Sequence, residues 1–110
     1  MNSSWTNYAE TVYTLDYYNG KLYAGIGFST NDAEVWEWNG SSWAKVGGDG
    51  VNASWNTVYE SVASMTHDGG NLYVGLGASA GDAEVWQWNG TTWTKIGGDS
   101  LNSGWDASLS

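Results

Sequence analysis

A stretch of 18 residues occurs twice in this chain, 50 residues apart, and no other feature limits its fold as much. Asp32–Asp49 reads DAEVWEWNGSSWAKVGGD, and Asp82–Asp99 reads DAEVWQWNGTTWTKIGGD. Each copy has two short runs of β-forming residues around an Asn-Gly pair. Asn-Gly is a strong hairpin signal, because both central residues of a type I′ turn need φ > 0. A hairpin that recurs at a fixed period predicts a repeat architecture.

Trp5, Trp55 and Trp105 mark the period. Laid over 55–104 without a gap, residues 5–54 match at 23 of 50 positions, and a further short copy begins at 105–110. We divide the chain into a first unit, 1–54, and a second, 55–110. Each unit reads as four strands. In the first they are Thr11–Tyr18, Lys21–Gly27, Ala33–Trp38 and Ser42–Val46. In the second they are Ser61–His67, Asn71–Gly77, Ala83–Trp88 and Thr92–Ile96. Asn19-Gly20 and Asn39-Gly40 supply tight turns. With no Pro and 16 Gly in the chain, turn-making falls to Gly, Asn, Asp and Ser. Four antiparallel strands in about 50 residues is the pattern of a β-propeller blade. An eight-stranded sandwich is the competing all-β reading. Glycines at alternate positions, Gly25 with Gly27 and Gly75 with Gly77, weaken a strand unless something else needs the space. Strands converging on a propeller axis would need it.

The charge narrows the partners. Twelve acidic residues against Lys21, Lys45 and Lys95, with no Arg, give a formal net charge of −9. No basic groove for phosphates can be built, so nucleic acid is a poor partner, as are anionic membranes. The acidity reads as a solvated, self-repelling surface. Without Cys there are no disulfides and no thiol chemistry. Neither a signal peptide nor an apolar run of about 20 residues is visible, and the compartment stays open.

The run Asn19-Gly20-Lys21-Leu22-Tyr23-Ala24-Gly25-Ile26-Gly27, followed by Glu34-Val35-Trp36-Glu37-Trp38-Asn39-Gly40-Ser41-Ser42-Trp43, resembles a kelch-type propeller blade. It departs from that pattern where the glycine doublet becomes Gly-Ile-Gly or Gly-Leu-Gly. The two-unit chain also looks like the small bacterial and fungal lectins whose two-blade chains form a six-bladed ring and bind fucose. That resemblance implies a multivalent sugar binder. Those lectins use an Arg, a Glu and a Trp on each sugar. Glu34, Glu84, Trp43 and Trp93 match by type. The chain holds no Arg, so the fucose set is incomplete while sugar binding as such stays open.

Two blades cannot close a propeller, which needs at least four. Their packing faces and edge strands would stay exposed, and each tryptophan left in water forgoes the burial of about 150–250 Å². Head-to-tail association of copies is the natural closure, a trimer giving six blades and a tetramer eight. We expect a homo-oligomer, a trimer first, with the terminal segment of one chain completing a blade of its neighbour.

No catalytic set emerges, and we expect no enzyme, cofactor or metal. His67 is the single histidine and stands where the first unit has Tyr17. A carboxylate pair for glycoside hydrolysis would be unique, whereas these acids recur in both units. Gly47-Gly48-Asp49-Gly50-Val51-Asn52 lacks the calcium-loop spacing, and Asp49 and Asp99 read as turn residues. The sequons at Asn39 and Asn89 fall in hairpin turns. The aromatic residues carry the functional expectation. Trp43 and Trp93, beside the Asn-Gly turns, with Glu34, Glu84, Asp32 and Asp82, are the candidate sugar-binding residues. A ring face would stack on the sugar, and carboxylates would take its hydroxyls. The leading reading is a non-enzymatic, multivalent carbohydrate-binding ring; the alternative is a structural or protein-interaction unit without a small ligand, a fragment or engineered repeat included.

Overall fold

The computed structural model describes residues 11–27, 33–55, 61–77 and 83–98. They form two antiparallel four-stranded sheets, each with its strands in chain order. Sheet 1 holds β1 (Thr11–Tyr18), β2 (Lys21–Gly27), β3 (Glu34–Trp38) and β4 (Trp43–Gly47). Sheet 2 holds β5 (Val62–Asp68), β6 (Asn71–Leu76), β7 (Glu84–Trp88) and β8 (Trp93–Gly97). The fold class is all-β, and each strand end lies within one residue of the sequence reading.

The turns differ from that reading in one respect. Asn19 and Gly20, between β1 and β2, both have positive φ (53° and 81°), as a type I′ turn requires. The β3–β4 turn is built otherwise. The Asn39 N–H donates to the Ser42 carbonyl, so Gly40 and Ser41 are the central residues. Gly40 takes φ +102°, the type II′ requirement of a glycine at the first central position. While its backbone N–H closes the turn, the Asn39 Oδ1 accepts from the Ser41 and Ser42 N–H groups. Asn89 does the same for Thr91 and Thr92. Asparagine is there for its side chain.

Strand pairing fixes the faces. Tyr23 pairs with Asp16 and Glu37, and Gly25 with Thr14 and Val35, so these residues share one face of sheet 1 with Tyr18 and Gly47. Leu22, Ala24, Trp38 and Trp43 lie on the other. In sheet 2 the face corresponding to that second one carries Leu72, Val74, Leu76, Trp88 and Trp93. Register shifts recur at matching places, at Val12/Thr14 and Val62/Ser64 and at Val35/Trp36 and Val85/Trp86. A bulge of this kind sharpens local twist, and both units carry it.

The sheets stack through unlike faces. Tyr18, Tyr23 and Val35 of sheet 1 join Leu72, Val74, Leu76, Trp88 and Trp93 of sheet 2 in one buried cluster. Gly25 has a physical reason here that differs from crowding at an axis. A Cβ on it would stand 2.6 Å from Val62 Cγ1 and 2.7 Å from Thr14 Cγ2. The missing side chain is the socket for Val62. Gly47 serves Trp93 in the same way, with three indole atoms 3.0 Å from where a Cβ would be. The linker between sheets makes a 3-10 turn, Val51–Ala53, and delivers Trp55 into the cluster.

Candidate functional site

Trp93 opens β8 and is 3% exposed. Its Nε1 donates to the Val46 carbonyl of sheet 1 at 2.9 Å. Its ring meets Trp55 edge-on, with centroids 4.9 Å apart, and Trp88 at 5.1 Å. Trp55 in turn donates from Nε1 to the Ala33 carbonyl and meets Trp86 edge-on. Both indoles therefore hold the two sheets together through main-chain acceptors. Trp43, the counterpart of Trp93, is half-buried and packs against Trp38 at 5.4 Å. The two candidate stacking rings thus occupy different environments, one sealed in the joint and one on the outward face of sheet 1.

Glu34 and Glu84 each open a strand and are engaged in the same manner. Trp36 Nε1 donates to Glu34 Oε1 at 2.9 Å, and Lys45 Nζ stands 3.6 Å from Oε2. Trp86 and Lys95 repeat both distances on Glu84. Lys45 also pairs with Asp49 at 2.7 Å. Burial raises the Glu34 carboxyl above the usual carboxylate range, the Trp36 hydrogen bond and Lys45 opposing it. Burial pulls the Lys45 ammonium down, but Asp49 and Glu34 outweigh it and the net shift is upward. Gly48 and Gly98, with φ near +100°, press against the backbone of residues 33 and 83 and leave no room for a side chain. The acid, the indole and the lysine form a triad that fixes the Trp36 and Trp86 rings.

Asp32 and Asp82 lie outside the described residues. The structure brings Trp86 and Trp93 together around Trp55, with Glu84 held by Trp86. The sequence reading missed the lysines as their partners, although Lys45 and Lys95 recur at one spacing from the acids. It also left Trp55 as a mere marker of the period. Asp49 holds Lys45 in addition to shaping its turn.

The joint has a polar edge. The Tyr18 hydroxyl donates to the Gly70 carbonyl at 2.5 Å, and His67 Nδ1 lies 2.9 Å from Asp16 Oδ2. Inside, the Tyr23 hydroxyl donates to Glu37 at 2.5 Å, and burial together with Glu37 pushes it far above its ordinary range. The neighbouring Trp88 Nε1 is buried with no hydrogen-bond partner among the described residues. Among the described residues no three His, Cys, Asp or Glu side chains come together as a metal site. Comparison with family models, with curated proteins and with solved structures gives no match to this chain.

Proposed function

We propose that this chain is a β-propeller unit that acts without catalysis as a self-assembling scaffold, three copies closing a six-bladed ring. The observation that supports this reading is the joint between unlike faces. A duplicated sandwich related by a two-fold axis would bury like faces and leave nothing to repeat. A joint between unlike faces leaves the complementary pair of faces at its two ends. Such heterologous contacts continue until a ring closes. Light scattering of the purified chain after size exclusion tests it. A mass of three chains supports the ring, and a folded monomer across the whole concentration range overturns it.

A multivalent carbohydrate binder is the second reading, and Trp43 favours it. That ring is half-buried beside Trp38, on the face that carries Glu34. Trp93, sealed in the joint, offers no ring face to a sugar within this chain. A glycan array decides between the readings. Signal that free monosaccharide competes away and that Trp43→Ala abolishes makes the ring a lectin. A blank array from an assembled protein leaves the scaffold.

A further inference from the structure

Within one chain, β5 seats sheet 2 on sheet 1. Val62 fills the Gly25 socket, His67 reaches Asp16 and Tyr18, and Met65 packs against the cluster. The corresponding residues of β1 are Val12, Leu15 and Tyr17. They are 43%, 57% and 66% exposed, a row of large apolar side chains on an edge strand. The groove that would receive such a row recurs on the outward face of sheet 2. There Ser64, Thr66, Tyr73, Gly75 and Val85 line an open apolar hollow. They correspond, position by position, to Thr14, Asp16, Tyr23, Gly25 and Val35. A Cβ on Gly75 would meet only Ser64 Oγ of its own sheet, where its equivalent at Gly25 meets Val62. The socket is present, and among the described residues no valine fills it.

We propose that Val12, Leu15 and Tyr17 of one copy dock on the Gly75 groove of a second copy, repeating between chains the joint formed within each chain. The inference rests on the self-assembly reading and names the surfaces that carry it. A second copy is the occupant because both halves of the contact already exist, mated, inside the molecule. The joint between chains is the weaker of the two. Where Tyr18 donates to the Gly70 carbonyl, the second copy would set Asp68 against the Gly20 carbonyl, two acceptors facing one another. Where Asp16 meets His67, it would set Thr66 against Tyr17. The apolar seating is kept and the polar edge is lost, so assembly depends on concentration.

Sedimentation of the full chain over a concentration series tests this, with circular dichroism confirming the fold of each variant. Leu15→Glu and Ser64→Glu change exposed residues, one on each half of the contact. Each alone should reduce the protein to monomer. Mixed in equal amounts they should recover a pair of chains and nothing larger, since one sound row then meets one sound groove. Asp68→Tyr restores the missing donor and should lower the association midpoint about tenfold. Wild-type assembly unaffected by both charged variants overturns the docking while sparing the scaffold reading. A monomeric wild type overturns both.

Discussion

Trp43 and Trp93 hold the same place in two nearly identical hairpins, yet one is half-buried and the other sealed. β1 and β5 diverge further. Between 11–19 and 61–69 only Val12 and Val62 are the same residue. Nearly identical local sequence made matching hairpins, and the difference came from what lies against each face. Sheet 2 has a neighbour on the face that carries Trp93. Among the described residues, no other sheet lies against the matching face of sheet 1. In a repeat protein of this kind a residue's energetic weight belongs to its position in the stack.

The contrast can be broken by substitution. Trp93→Ala removes a buried indole, its carbonyl hydrogen bond and two ring contacts, and should cost about 3–5 kcal/mol in denaturant unfolding. Trp43→Ala should cost less than half of that, and equal costs would erase the distinction. Gly25→Ala drives a methyl into Val62 and should cost about 1–3 kcal/mol, whereas Gly75→Ala displaces only a hydroxyl that can rotate and should cost under about 1 kcal/mol. Tyr18→Phe strands the Gly70 carbonyl and should cost about 1 kcal/mol, while Asp68→Asn at the matching position should stay within about 0.5 kcal/mol. Glu34 gives a small effect that depends on pH. Its carboxyl titrates higher in the folded chain than in the unfolded one, so the folded state takes the proton first. Stability should therefore rise as pH falls from neutral through that raised value, and level off below the unfolded one. Glu34→Gln should remove the rise, by less than about 1 kcal/mol, in thermal unfolding at a series of pH values.

The strands were legible because alternation and Asn-Gly punctuation act locally. Lys21–Gly27, for example, was bounded by its own residues. The turn geometry at Asn39 was not legible, since Asn-Gly serves two turn types and the hydrogen bond to Ser42 selects one. Gly25 announced that something needed its space but not that the something was Val62, 37 residues on. For the candidate site, type and spacing picked out Glu34 and Glu84. Their capture by Trp36 with Lys45, and by Trp86 with Lys95, was equally periodic and open to the same reading. The fate of Trp93 was beyond reach, because the carbonyl of Val46 that claims it has no signature in sequence.

That carbonyl has a wider consequence. Trp93, Trp55, Tyr18 and Thr92 reach across to Val46, Ala33, Gly70 and Asn52, and every one of these acceptors is a peptide oxygen. Mutation can replace a side chain, but it cannot delete a main-chain carbonyl. These accepting groups, which lie on both sides of the joint, are therefore exempt from sequence drift. Position 46 is Val in one unit and 96 is Ile in the other, and either residue carries the same peptide carbonyl. Side-chain changes at the accepting positions leave this joint's acceptors in place, provided the donor tryptophans and the glycine sockets survive.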